Sequence, residues 1–378
     1  MDLSDTPAEA RLRRELRAWL RTHCPRSDGR SVEYGEPERL PAAKAWQRKL
    51  YDAGFVAAGW PREYGGRGAD PAMETLIHEE LVRAGAPGLI GLLGVEMVGP
   101  TLIQWGTDEQ KRQHLPLIPT AERIWCQGYS EPGSGSDLAS LRTRGELRGD
   151  EIVVNGQKVW TSYAQFADWM FCLVRTDPDA PKHAGISYVL IDMRTPGITV
   201  RPLVQMTGDA GFNEVFLEDV RVPRANVVGP LHQGWQVANS TVRHERNMLG
   251  SSARTQQMMA GLLRLARRNG GADAATRDRI AALAGRVEAL RLHALRELTD
   301  DLRGRAPGIA ASVTKLVGTE LNHDIATLAC ELLGTRGLAR DGLWPFEVMF
   351  TLGMIIGGGT SQIQKNIIAE RGLGLPRG

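Results

Sequence analysis

Ser130-Glu131-Pro132-Gly133-Ser134-Gly135-Ser136-Asp137 gathers three hydroxyls and two glycines into one turn. Such a stretch lets the backbone approach a ligand closely and offers N–H and O–H donors to it. Its composition is equally that of a surface turn. Its surroundings narrow the choice. The short runs RIWCQGYS (123–130), EIVVNGQKVW (151–160), WMFCLVR (169–175), ISYVLIDM (186–193) and NEVFLEDVRV (213–222) are rich in β-branched and aromatic residues. Turn residues separate them: Gly149-Asp150, Asn155-Gly156 and Thr195-Pro196-Gly197. That spacing predicts a small antiparallel sheet or barrel.

Helical periodicity lies on both sides. Leu12, Leu16 and Trp19/Leu20 recur at helical spacing, Trp46 and Leu50 continue the pattern, and further helices are expected over 71–84 and 88–105. The Gly- and Pro-rich stretch 59–71 reads as an irregular crossing. Beyond 231, Ile280, Leu283, Val287, Leu290, Ala294 and Leu298 step by three and four, as do Val313, Val317, Leu321, Ile325, Leu328 and Leu332. Long amphipathic helices of this kind pack as a bundle. The expected fold is therefore α+β, mostly α: an N-terminal helical domain (1–121), a middle antiparallel β domain (122–230) and a C-terminal helical bundle (231–378).

Composition excludes several functions. The 378 residues carry a formal charge of only +2, which asks for neither nucleic acid nor an anionic membrane. No run approaches the ~20 apolar residues of a membrane span, and the opening MDLSDTPAEARLRREL has no signal-peptide core. The four cysteines are dispersed without a C-x-x-C pair, so a reducing cytoplasm is expected and a zinc site is not. There is no G-x-G-x-x-G after a strand, no Walker motif, no H-E-x-x-H and no G-x-S-x-G. A nucleotide cofactor would need another architecture.

Two further stretches carry chemistry. Asn155-Gly156-Gln157-Lys158-Val159-Trp160-Thr161-Ser162 combines a hairpin signal with a strand presenting an indole and two hydroxyls. A Trp can stack on a flat ring and a hydroxyl can bond a ring nitrogen, although a strand Trp is more often a core residue. Gly357-Gly358-Gly359-Thr360-Ser361-Gln362-Ile363-Gln364 leads into the last helix. Its free N–H groups suit an anion or a polar cofactor edge, while Ser361 and Gln364 have capping-box spacing.

In order and separation these three stretches, with NEVFLEDVRVPRANVVG at 213–229, resemble the acyl-CoA dehydrogenase family over nearly the whole chain. The resemblance implies the three-domain fold above with a four-helix bundle, FAD bound in extended form, and oxidation of an acyl-CoA to the trans-2-enoyl-CoA. It implies an electron-transferring flavoprotein as acceptor. By motif, Gln127, Ser130, Trp160, Thr161 and Ser162 are assigned to the flavin, with Ser162 near N5. Ser136 faces CoA, Gly359 lies with the substrate, and Thr360 and Gln362 contact the cofactor.

The sequence departs from the family pattern in two places. Many members carry the catalytic Glu where this chain has Gly358. A minority place it on the first bundle helix directly before an Arg, which makes Glu245 the expected base and Arg246 the support of the thioester region. The null side chain at 358 leaves room for a branched or ring-bearing acyl group. The family's Arg-x-x-Phe-Gly segment, which reaches a neighbour's FAD diphosphate, is replaced by 275–281, where Arg277 or Arg279 stands in; the usual Gln near 334 is Glu331. These features resemble the actinobacterial-type dehydrogenases of bulky and sterol side-chain thioesters, some of them heterotetramers of two related chains. A homo-oligomer, a heterotetramer and a non-catalytic or half-site subunit therefore all stay open. So do an acyl-carrier-protein thioester as substrate and an oxidase of the same fold.

Overall fold

The computed structural model describes residues 5–25, 36–269, 271–305, 308–339 and 342–376, and of 243–248 only the backbone. Two compact units form from separated segments. One draws on 1–29, 69–86 and 245–378, the other on 30–68 and 87–244. In chain order the helices α1 (Pro7–His23), α2 (Leu40–Asp52), α3 (Pro71–Arg83), α4 (Gly99–Trp105) and α5 (Asp108–His114) come first. The strands β1 (Trp125–Gly128), β2 (Arg144–Arg148), β3 (Glu151–Ser162), β4 (Trp169–Arg175), β5 (Ile186–Asp192), β6 (Ile198–Leu203), β7 (Phe212–Pro223) and β8 (Val227–Val228) follow. The helices α6 (Gly234–Leu249), α7 (Ser252–Arg268), α8 (Ala274–Leu302), α9 (Ala310–Leu333), α10 (Leu343–Ile356) and α11 (Ser361–Ile367) complete the chain. Among the described residues, no helix is long and apolar enough to cross a membrane.

In the first unit, α1 starts where Thr6 and Glu9 exchange side-chain and backbone bonds in a capping box, with Pro7 in the first turn. Leu12, Leu16 and Leu20 then fall on one buried stripe. Asp70 caps α3 by a single bond, accepting from Met73 N at 2.8 Å. The buried Glu80 of α3 gathers Arg13 (2.6 Å), Arg17 (2.6 Å) and Arg83 (2.8 Å) around its carboxylate. Burial alone would raise its pKa; the arginines more than offset this and hold it below the ordinary carboxylate value. The bundle α7–α10 closes over Leu262, Leu290, Leu321, Ile325 and Leu328.

The second unit is built on one eight-stranded sheet in the order β6-β7-β3-β2-β4-β5-β8, with β1 added alongside β4. It is mostly antiparallel, but β1 and β2 each pair with β4 in parallel, so the sheet is mixed where a purely antiparallel one was expected. β4 is buried over six of its seven residues, which is why its sequence reads as a continuous apolar run and not as an alternation. Gly149-Asp150 makes the β2–β3 turn, as expected from the sequence.

Asn155-Gly156 does not make a turn. It lies inside β3, where the register against β7 shifts between Val154 and Gly156. Asn155 bonds the bulged residue Asp219 from both ends of its amide, at 3.0 and 2.9 Å, and Asp219 has φ +50°. Gly156 is required by a close approach: a Cβ there would stand 2.7 Å from Thr143 Cα. The dipeptide therefore serves a β-bulge on a partner strand.

Candidate active site

In the sheet unit, β1 carries Gln127 and leads into the Ser130–Asp137 loop. The loop closes on itself through reciprocal backbone bonds of 3.0 Å between Glu131 and Ser134. Ser134 is buried, and its hydroxyl donates to Asp137 O at 2.7 Å, so it is used internally. Ser130, half-buried, and Ser136, exposed, are the hydroxyls turned to other uses. Val159 N donates to Ser130 O at 2.9 Å and joins the loop to β3.

β3 then bulges. Lys158 pairs with Val215 and Thr161 with Asn213, so three steps on β3 oppose two on β7. The extra residue falls at Trp160, which has φ +60°. That region is disfavoured for a bulky L residue and persists only where neighbours hold it. As a result the indole is 60% exposed, contrary to the usual burial of a strand Trp, and meets Phe212 edge to face at 6.1 Å. The Thr161 hydroxyl is buried beside it without a hydrogen-bond partner. Ser162, half-buried, ends the strand. Gln127, Ser130, Trp160, Thr161 and Ser162 thus lie on adjoining segments of one unit. An outward indole flanked by hydroxyls can stack a flat heteroaromatic ring and bond its edge.

In the bundle unit, Gly358 and Gly359 have φ +63° and +91°, conformations open to glycine. The turn is clamped from beneath. Lys315, fully buried on α9, donates to Ile355 O (2.9 Å) and Gly359 O (2.8 Å), and Gln364 donates to Gly358 O (2.9 Å). The helix cap is Thr360, whose hydroxyl accepts from Ile363 N at 3.2 Å. The Ser361/Gln364 capping box expected from spacing does not form, because Gln364 is turned back onto the glycine carbonyls. Gln362 is exposed on the first turn of α11.

On the bundle's exterior, Arg277 donates to Ala272 O at 2.7 Å, closing the first turn of α8. Arg279 pairs through two bonds with Glu331 of α9, at 2.5 and 3.1 Å. This pairing holds the Glu331 carboxyl below its ordinary range. The carboxylate that looked out of place in the sequence has its counter-ion 52 residues away. Glu245 and Arg246 lie on α6, but their side chains fall outside the described residues.

Sequence reasoning passed over Lys158 and Glu131. Lys158 is fully buried in β3, and its Nζ lies 2.9 Å from Glu131 Oε1. Burial would raise the Glu131 pKa, but Lys158 and the Thr143 and Arg142 donors hold it below the ordinary value. Nothing local singles Lys158 out, because β3 also carries Glu151, Asn155, Gln157, Thr161 and Ser162 and a surface lysine would read the same way.

Three family profiles match the chain in order. They are the acyl-CoA dehydrogenase N-terminal domain over 6–122, the middle domain over 126–220 and the C-terminal domain over 232–373. Acyl-CoA dehydrogenase IpdE1 of Mycobacterium tuberculosis is 41% identical over 376 residues, covering 97% of each chain. Among solved structures, the Tcur3481-Tcur3483 steroid ACAD aligns at 33% identity with a TM-score of 0.90 over 100% of both chains. The ChsE4-ChsE5 complex from Mycobacterium tuberculosis aligns at 35% identity with a TM-score of 0.83, again over 100% of both chains. With full-length coverage in sequence and in fold, the chain belongs to the acyl-CoA dehydrogenase family of oxidoreductases.

Proposed function

We propose that this enzyme carries out FAD-dependent α,β-dehydrogenation of an acyl-CoA with a bulky, ring-bearing acyl group, yielding the trans-2-enoyl-CoA. An electron-transferring flavoprotein takes the electrons. The family is generally FAD-dependent, and the residues present suit a flavin: an outward Trp160 on a bulge, with the unpartnered Thr161 hydroxyl behind it. The outward Trp160 is the observation that carries the reading. Bound FAD would supply the acceptor for the hydride leaving the substrate's β carbon.

The chain's own residues do the rest. Trp160 walls the ring, Ser130, Thr161 and Ser162 bond its polar edge, and Gln127 supports them from β1. Glu245 removes the α proton, and Arg246 holds the thioester region. Ser136 meets the CoA portion. Thr360 keeps a proton to donate after accepting from Ile363 N, so it and Gln362 remain able to bond the cofactor. The absence of a side chain at Gly358 widens the acyl side, which motivates the ring-bearing substrate. The four free cysteines suit a cytoplasmic location. Relative turnover with ring-bearing and straight-chain acyl-CoA of matched size tests the substrate class. A strong preference for straight chains contradicts it.

One observation favours a second reading, a half-site subunit working with a related chain. Of the two cations assigned to a diphosphate, Arg279 is already neutralised by Glu331, which leaves Arg277. A diphosphate set against the Arg279–Glu331 pair meets no net positive charge. Flavin counted per chain, alone and after co-expression with a related chain, separates the two. About one FAD per chain from the protein alone excludes the half-site reading.

A further inference from the structure

A buried ion pair joins β3, two residues before the outward indole, to the Ser130 loop. Lys158 is fully buried, with its Nζ donating to Glu131 Oε1 at 2.9 Å and to Tyr129 O at 3.1 Å. The same carboxylate accepts from Thr143 N at 2.8 Å and from Arg142 N at 2.7 Å. One carboxylate thus ties together the Ser130 loop, the segment before β2 and β3. The lysine sits two residues before Trp160, at the last regular pair before the bulge. On the far side of the bulge, Asn213 donates to Thr161 O at 3.0 Å. The strained φ of Trp160 is held from both ends.

We propose that Lys158 and Glu131 are positioning residues of the active site: their buried ion pair fixes the bulge that turns Trp160 outward and the loop that presents Ser130. Neither group touches a reacting atom. Their effect passes through Trp160 and Ser130, and so rests on the flavin reading above. A hydrophobic pair of similar volume packs a core as well as a buried ion pair does. It lacks the directional bonds that hold three segments in one register.

The test uses the double variant Glu131→Gln/Lys158→Met, which removes both charges together. Three quantities are read: melting temperature, FAD dissociation constant, and amide hydrogen exchange of 128–137 and 156–163 without flavin. The expected result is a melting temperature near that of the parent, with exchange in both peptides and the FAD dissociation constant each raised about tenfold or more. Parent-like exchange and FAD affinity overturn the proposal and leave the pair a purely structural contact. If the parent takes up no FAD, alone or with a related chain, exchange still decides: acceleration in both peptides upholds the positioning role while the flavin reading fails, and unchanged exchange overturns it. Should the double variant not fold, Glu131→Asp, which keeps the charge but shortens its reach, is read by the same two quantities with the same outcomes.

Discussion

Two Lys/Arg–Glu pairs, one in each unit, use the same chemistry to different ends. Glu131–Lys158 is buried, and its carboxylate also accepts two backbone N–H groups. Arg279–Glu331 lies on the bundle exterior with both side chains about half exposed. Removing one partner of the first strands an unpaired charge away from water. Removing one partner of the second leaves the other to solvent, where such pairs contribute little to stability. The first pair therefore acts on geometry. The second leaves its part of the bundle exterior without the net positive charge of a lone Arg279.

The sharpest way to break that contrast is Lys158→Met alone. It should cost about 3–5 kcal/mol in denaturant unfolding, because Glu131 stays buried and unpaired. Adding Glu131→Gln should recover most of that loss. A single variant as stable as the parent would mean that the pair is solvated after all.

Acid sharpens the contrast next. Glu131 and Glu80 both titrate below the ordinary value of 4.5 in the folded chain. Such groups contribute stability that is fully present above 4.5 and is lost as pH falls through their lower folded values. The melting temperature of the parent should therefore drop steeply below pH 4.5. That of Glu131→Gln/Lys158→Met should drop less. Parallel curves would contradict the shift at Glu131.

Trp160→Ala should leave the melting temperature nearly unchanged, since the indole is mostly exposed. It should weaken FAD binding by the roughly 0.5–1.5 kcal/mol of a lost aromatic stack, read by flavin titration. Unaltered affinity would move the ring elsewhere. The smallest effect is expected from Glu331→Gln: no measurable change in melting temperature, but a higher flavin content in the protein purified alone, because Arg279 is released. An unchanged flavin count would leave the exterior pair without a role in cofactor uptake.

Local pattern made the fold readable. Period-three-and-four leucines gave α1 and the bundle, and β-branched runs gave the strands, because each depends on neighbours a few residues away. What stayed hidden depends on distant partners. Asn155-Gly156 has the local chemistry of a hairpin, and only β7, with Asp219 64 residues on, turns it into the counterpart of a bulge. The outward turn of Trp160 also belongs to the β3–β7 register and not to its own sequence. Glu331 departs from the family pattern, and its counter-ion Arg279 stands 52 residues earlier on the neighbouring helix α8. The Thr360 cap was missed by one residue because Gln364 answers to the glycine carbonyls. The positions assigned by motif, among them Ser130, Trp160 and Ser162, needed the resemblance to a family and not composition.

The most direct test is an anaerobic titration of the flavin-loaded enzyme, with a related chain if loading requires one, using a ring-bearing acyl-CoA and following the visible band of oxidised flavin. The account predicts that the band bleaches in the parent and that Glu245→Gln slows bleaching roughly 10²–10⁴-fold, the usual contribution of a positioned general base. Bleaching at the parental rate in Glu245→Gln, or no bleaching of the parent by any acyl-CoA, would contradict it.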